Sequence, residues 1–251
     1  MIDFRNVSVG LKGKKIIDNC SFRLQKGQIT VLIGRNGSGK TTLINCINGM
    51  MRYTGEIRIC GENAALLSRR ERARRVAILP QRLPDTRLSV RGLVSVGRNP
   101  YVDPVGRLDD EDRKIVQQSI ENAGIAHLTE TDVGLLSGGE RQRAFIAMLL
   151  AQDTPVLVLD EPTTYLDIDA RKELLRLLAD LSRKKDKTLM VIMHDINEAV
   201  NIADNIVLLD QGKCLFSGTK EAFLAEKLAE KHFGLRHFDV HDGTKTEVFF
   251  R

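Results

Sequence analysis

Four short runs of aliphatic residues, bounded by turn formers, frame the chain: Ile29-Thr30-Val31-Leu32-Ile33, Val76-Ala77-Ile78-Leu79, Val156-Leu157-Val158-Leu159, and Thr188 to Met193. Apolar runs of this length without polar alternation predict strands buried on both faces. Ahead of them, residues 2–33 read as strands, with Cys20, Phe22 and Leu24 alternating and Lys26-Gly27-Gln28 turning into Ile29. Leu43, Ile44 and Ile47 recur at helical spacing, and Gly49 supplies a left-handed stop. A leucine-rich helix is predicted over roughly 170–185. Strand, helix, strand at this spacing implies right-handed crossovers and a largely parallel sheet.

Residues 82–153 interrupt that alternation. Pro84, Pro100 and Pro104 surround one predicted helix from Ser89 to Gly97. Asp109 through Asp112 open another, where the helix dipole favours acids; Val116, Ile120 and Ala123 mark its buried face and Gly124 ends it. The segment reads as a helical insert. Gly55 to Gly61 is a short strand between glycine turns, and Ser68 followed by Glu71 predicts a capping box. The helix it opens carries Arg69, Arg70, Arg72, Arg74 and Arg75. Without interleaved aromatics to stack bases, it reads as a solvated or partner-facing helix rather than a nucleic-acid patch. The tail from His237 to Phe250 reads as a hairpin pivoting on Asp242-Gly243.

Composition narrows this modestly. The chain has 251 residues, 42% hydrophobic and 28% charged, ordinary for a soluble globular protein of one large or two small domains. No stretch reaches the roughly 18 apolar residues of a membrane span, and Met1 to Asn6 does not resemble a signal peptide. Cys20, Cys46, Cys60 and Cys214 are scattered without C-x-x-C spacing, which suits reduced thiols in a cytosolic protein. A net charge of +5 permits an anionic partner without arguing for one.

The chemistry starts at Gly34-Arg35-Asn36-Gly37-Ser38-Gly39-Lys40-Thr41, which fits G-x-x-x-x-G-K-[ST] between a strand and a helix. Its glycines let backbone N–H groups converge on phosphate, Lys40 reaches the β- and γ-phosphates, and the Thr41 hydroxyl can ligate Mg²⁺. The alternative is a plain glycine turn. Asp160-Glu161 ends a buried strand, where an aspartate can hold Mg²⁺ through water and a glutamate can orient or deprotonate an attacking water. Leu136-Ser137-Gly138-Gly139-Glu140-Arg141-Gln142 is a second candidate anion site, a serine cap and two glycines before a helix. His232, His237, Asp239, His241 and Asp242 form a tail cluster that reads as solvated surface rather than a closed metal site.

Together these stretches resemble the nucleotide-binding subunit of ATP-binding cassette (ABC) transporters. Gly34–Thr41 looks like its Walker A loop, Gln81 its Q-loop glutamine, and Leu136–Gln142 its signature sequence. Val156–Glu161 looks like Walker B with the catalytic glutamate, Leu166-Asp167 the D-loop and His194 the switch histidine. Residues 141–148 and 161–168 are similar to the ferric-siderophore, haem and cobalamin importer branch, the ferric-siderophore members above all.

The resemblance implies an α/β P-loop NTPase core with a mixed, largely parallel sheet, an N-terminal antiparallel β subdomain and an inserted helical subdomain. It divides a single domain, 1–251, into a core of 1–81 and 154–231, a helical part of 82–153 and a hairpin tail of 232–251. It implies ATP and Mg²⁺, with Lys40, Gln81, Glu161 and His194 catalytic and Thr41, Gln81 and Asp160 around the metal. Nucleotide contacts fall on Gly34, Asn36, Gly37, Ser38, Gly39, Lys40, Thr41, Thr42, Ser137, Gly138, Gly139 and Asp167, with Ser137 and Gly139 reaching the γ-phosphate of a second copy. Expected partners are a second ATPase subunit, two transmembrane permease subunits that residues 82–108 would cradle, and indirectly a periplasmic or surface substrate-binding protein. No nucleic acid is expected, and the location is the cytoplasmic face of the cell (inner) membrane. At the position where relatives stack adenine on an aromatic, this chain has Leu11. Competing readings are a soluble ABC ATPase acting in Fe–S assembly or on the ribosome, and a nucleotide switch with negligible turnover; Glu161 and His194 argue against the switch.

Overall fold

The computed structural model describes residues 1–102, 106–164, 166–241 and 246–251, with the side chains of 239–241, 246 and 247 left out. Strands β1 (Ile2–Leu11) and β2 (Lys14–Arg23) form a hairpin, followed by β3 (Ile29–Ile33) and helix α1 (Lys40–Asn48). Next come β4 (Thr54–Ile59), β5 (Glu62–Asn63), α2 (Arg69–Ala73) and β6 (Val76–Leu79). Three helices follow in a row, α3 (Val90–Val96), α4 (Asp110–Asn122) and α5 (Gly138–Ala151). Alternation then resumes with β7 (Val156–Asp160), α6 (Ile168–Lys185), β8 (Thr188–Ile192), α7 (Ile196–Ile202) and β9 (Asn205–Asp210). The chain continues through β10 (Lys213–Thr219), α8 (Lys220–Ala225), α9 (Leu228–Phe233), β11 (His237–His241) and β12 (Thr246–Phe250).

The main sheet runs β10-β9-β3-β8-β7-β6, parallel throughout except for β10, which pairs antiparallel with β9. A second, antiparallel sheet runs β2-β1-β4-β5. Why the main strands show no polar alternation is now plain. Val31, Leu157, Leu159, Leu189 and Val191 pack into a cluster with helices α5, α6 and α7. Their neighbours Leu32, Val156, Val158, Met190 and Ile192 point the other way, to α1 and the antiparallel sheet. Both faces of each strand are covered, so their positions are apolar apart from Thr30, Thr188 and the terminal Asp160.

Helices α3, α4 and α5 pack on one another. Their junction holds a buried ion pair: Arg98 Nε donates to Asp112 Oδ1 at 2.7 Å and Nη1 donates to the Ala151 carbonyl at 2.8 Å. The Tyr101 ring centroid lies 4.1 Å from the guanidinium.

Three findings differ from the sequence reading or add to it. Helix α6 begins at Ile168 rather than 170, because Asp167 caps it by accepting from the Ala170 N–H at 2.8 Å. Residues 195–233, whose elements were not assigned from the sequence, supply α7, β9, β10, α8 and α9. The arginine helix is not simply solvated. Arg70 donates to the Pro100 and Val102 carbonyls, Arg74 to Pro100, and Arg72 to Ile47 and Ala64, so α2 is tied to its own chain. A guanidinium with five donors can grip several carbonyls at once. The capping box at Ser68 is present, and β11 pairs with β12 as a hairpin, its Asp242-Gly243 turn lying outside the described residues. The hairpin docks on α7: Asn201 exchanges hydrogen bonds with Val248 N and O, and Asn197 Oδ1 accepts from Phe250 N at 2.6 Å.

Removing one member of a buried ion pair strands the other, at about 3–5 kcal/mol. Arg98→Met should therefore lower the unfolding free energy by roughly 3 kcal/mol in urea titration. Adding Asp112→Leu should recover part of that loss. Equal losses in the single and double variants would show that the stranded charge is not the cause.

Candidate functional site

Between β3 and α1 the backbone makes the turn that the glycines require. Gly34 has φ 156°, and a Cβ there would sit 2.0 Å from the Leu209 carbonyl oxygen, so a side chain would force β9 away. Lys40 opens α1 and folds back over the loop, donating to the Gly34 and Arg35 carbonyls at 2.7 and 3.1 Å. Burial pushes its ammonium below the ordinary lysine range, and the nearby Glu161 and Asp160 carboxylates oppose that shift.

Parallel strands deliver the acidic side. In the order β8-β7-β6, the strands end at one edge, and the residues just beyond them meet there: His194 after β8, Glu161 after β7 and Gln81 after β6. Asp160, the last residue of β7, is 5% exposed and accepts from Thr41 Oγ1 at 3.4 Å. Burial raises its carboxyl above the usual range and Glu161 adds to this, while Thr41, Lys40 and His194 pull back. Glu161 adopts φ 51°, and its N–H donates to the Ile192 carbonyl at 3.1 Å. A left-handed glutamate is uncommon, costs on the order of 1–3 kcal/mol and is held here from outside. Gln81 Nε2 donates to Glu161 Oε2 at 2.6 Å, and His194 Nε2 lies 2.5 Å from Oε1. Thr164 Oγ1 donates to Oε2 at 3.4 Å.

One open cavity of 540 Å³ collects Asn36, Gly37, Gly39, Lys40, Thr41, Thr42, Gln81, Glu161 and His194. Gly34 and Ser38 form the back of the loop: Ser38 is buried and its carbonyl accepts from the Gly212 N–H at 3.1 Å. Leu11 does not line this cavity. It sits beside the β1–β2 turn, 48% exposed, and Ile16 borders the cavity instead. Ile17 points into the core, so Ile16 faces outward; that alternation was the available signal. Thr164 was also missed as a contact of Glu161, although it lies within the 161–168 stretch that carried the resemblance.

Ser137 and Gly139 stand apart from Glu161, whereas Gly138 also lines a 430 Å³ cavity with Gln81, Glu161 and Thr164. Ser137 caps α5 in a reciprocal box: Ser137 N and Oγ donate to Glu140 Oε2 at 2.9 and 2.7 Å. These bonds hold the Glu140 carboxyl below its ordinary range. Asp167 shares a 510 Å³ cavity with Ser137, Gly138, Gly139 and Arg143, and none of its lining residues borders the phosphate-loop cavity. In the tail, the His232 carbonyl accepts from Arg35 at 3.2 Å, His237 lies beside Phe250, and the side chains of Asp239, His241 and Asp242 lie outside the described residues. Among the described residues no group of three or more acids, histidines or cysteines could hold a metal.

The family model described as ABC transporter matches residues 17–164. The iron(3+)-hydroxamate import ATP-binding protein of Bacillus subtilis is 39% identical over 216 residues, 85% of this chain and 80% of that protein. The ferric enterobactin transport ATP-binding protein of Escherichia coli is 36% identical over 238 residues, covering 94% and 88%. Among solved structures, the dimeric bacterial ABC transporter cassette MJ0796 superposes with TM-score 0.77 at 25% identity, covering 88% of this chain and 99% of that one.

Asp160 differs from a salt-bridged carboxylate, since its folded-state value is raised rather than lowered. Its ionised form therefore weakens the fold, and stability returns as pH falls through the raised value. Asp160→Asn should raise the melting midpoint by roughly 2–4 °C, the shift about 1 kcal/mol gives in a chain of this size. The gain should be largest near neutrality and shrink as the buffer is acidified. A lower midpoint at neutral pH would overturn this account of Asp160.

Proposed function

We propose, since this chain belongs to the ABC transporter family, that it is the ATP-hydrolysing subunit of an importer carrying an iron compound, a ferric siderophore. The cargo rests on the names of the relatives: hydroxamate, enterobactin, achromobactin and petrobactin systems all appear among them. The chemistry rests on one observation, the Glu161 carboxylate held between Gln81 and His194 at the rim of the phosphate loop.

In this reading Lys40 exchanges the Gly34 and Arg35 carbonyls for the β- and γ-phosphates of ATP. The hydroxyl of Thr41 and the carboxylate of Asp160, already 3.4 Å apart, are hard oxygen donors of the kind Mg²⁺ prefers, and Gln81 adds an amide oxygen. Bound there, Mg²⁺ would spread the charge of the phosphates. Glu161, released from Gln81, orients the attacking water and takes up its proton, while His194 steadies the γ-phosphate.

Ser137 and Gly139 border a cavity that shares no residue with the phosphate-loop cavity, which supports a site that one copy does not close by itself. A second copy placed head to tail brings its α5 N-terminus to the γ-phosphate, with Asp167 beside it. ATP then acts as a ligand of the closed pair, and hydrolysis releases it. Residues 82–108 receive the permease subunits, and the substrate-binding protein acts through them. Among the described residues no helix is long and apolar enough to cross a membrane, in keeping with a peripheral subunit on the cytoplasmic face of the cell membrane.

Glu161→Gln should cut turnover on the order of 10²- to 10⁴-fold while ATP stays bound. Dimers should then accumulate in size-exclusion chromatography with ATP and Mg²⁺. A variant that hydrolyses normally, or stays monomeric at saturating ATP, removes Glu161 from this role. Lys40→Ala should lose nucleotide affinity, whereas Ser137→Arg should bind nucleotide as a single copy but fail to turn over. Mixing the two inactive variants should restore activity, because each heterodimer contains one intact composite site. If the mixture stays inactive while mass spectrometry shows heterodimers, the head-to-tail arrangement is wrong. Binding of radiolabelled siderophore–iron by cells lacking the gene, unchanged from wild type, would sink the cargo assignment if uptake is likewise unchanged.

A further inference from the structure

Two cysteines with no part in nucleotide chemistry meet where the antiparallel sheet joins the main sheet. Cys20 is fully buried on β2, and Cys214 is half-buried on β10. β10 packs along β2, and the Asp18 N–H donates to the Gly212 carbonyl at 2.8 Å, two residues before each cysteine. Cys214 packs against the apolar cluster that contains Cys20, whereas Phe216, past a break in the β9–β10 register, packs against the other cluster. Each thiol is the strongest influence on the other's ionisation. Cys20 is pushed well above the ordinary thiol range, by Cys214 first and then by burial, and Cys214 is lowered by Cys20. The other two cysteines are placed differently: Cys46 is buried in α1, with burial pushing its thiol up to about 11, and Cys60 is exposed.

We propose that Cys20 and Cys214 are a redox modification site, a dithiol that peroxide converts to an intramolecular disulfide, and that this bond weakens nucleotide binding through the phosphate loop. Cys214 is the attacking sulfur, being the more accessible of the two. Its thiolate attacks one oxygen of hydrogen peroxide; the O–O bond breaks, leaving a sulfenic acid and hydroxide. The Cys20 sulfur then displaces the sulfenic oxygen, which leaves as hydroxide and takes the Cys20 thiol proton to become water. The first hydroxide takes the proton that Cys214 gave up on ionising. Two electrons pass from the two thiols to peroxide, and two waters leave.

The route to the loop is short. Gly212 ends the turn between β9 and β10, with φ 79°, and a Cβ there would sit 2.3 Å from the Ile16 carbonyl oxygen. Its N–H holds the Ser38 carbonyl at 3.1 Å, and its own carbonyl holds Asp18. A disulfide of about 2.05 Å lies far inside the contact distance of unbonded sulfurs. Drawing β10 onto β2 two residues away rotates this turn, and the grip on Ser38 slackens.

The test uses the full chain carrying Cys60→Ser, which removes the exposed thiol. After hydrogen peroxide and thiol blocking, digestion without reductant should yield a Cys20–Cys214 linked peptide. Affinity for a non-hydrolysable ATP analogue should fall about three-fold or more and return with dithiothreitol. Adding Cys214→Ser, or separately Cys20→Ala, should abolish both effects, so a folding defect in one variant leaves the other to decide. Sulfinate on Cys214 with Cys20 still free, or unreacted thiols, would overturn the site. A mapped disulfide with unchanged affinity would overturn its link to the phosphate loop.

Discussion

Asp160 and Glu161 place two carboxylates side by side at the end of a strand covered on both faces, and much of the molecule is arranged to tolerate them. Burial, and then the neighbouring Glu161 carboxylate, make Asp160 resist ionisation there. The neighbours answer with one ammonium, one hydroxyl, one amide and one imidazole: Lys40, Thr41, Gln81 and His194. These four come from three segments, the start of α1 and the turns after β6 and β8, which the parallel sheet in this strand order brings to one rim. The left-handed backbone at Glu161 belongs to the same rim, where its N–H is held by the Ile192 carbonyl.

The helical group is coupled to that rim by a specific grip. Arg141, in the helix that Ser137 caps, donates to the Pro84 carbonyl at 2.9 Å and to Asp85 Oδ1 at 2.7 Å. Gln81 lies just ahead in the same segment. A displacement of α5 is therefore passed along a few residues of backbone to the amide that holds Glu161. At its far end α5 is anchored as well, by Gln152 Nε2 donating to the Ala73 carbonyl at 2.6 Å and by the Arg98 bond to Ala151. Stiffness within the three helices lets movement at one end appear at the other.

What could be read from the residues alone was whatever is decided locally or by an all-or-none pattern. Buried parallel strands, the phosphate loop and the boxes at Ser68 and Ser137 each depend on a few neighbouring residues. The unread parts depend on encounters between distant segments. Nothing near Arg70 or Arg74 announces the Pro100 carbonyl that both bind. Leu11 and Ile16 sit on the two arms of one hairpin, and only its placement against the loop selects Ile16. Strand β9 is an exception: it carries the same apolar run as the other parallel strands, Ile206 to Leu209, and was simply not read. By contrast, β10 is an edge strand with exposed alternate residues, whose role as the antiparallel border appears only beside β9.

The docking of the C-terminal hairpin has a consequence for how this chain can change over evolutionary time. Asn197 and Asn201, one turn apart on α7, imitate the edge of a strand and offer β12 the donors and acceptors a neighbouring strand would. The main sheet itself ends at β10 and lends the hairpin no ladder. Among the described residues, apart from the apolar contacts of Val248 and Phe250, the appendage is fastened to α7 by two carboxamides that water could also satisfy. A segment attached in this way can lengthen, drift or be exchanged for another module while the ATPase beneath it keeps its hydrogen bonds.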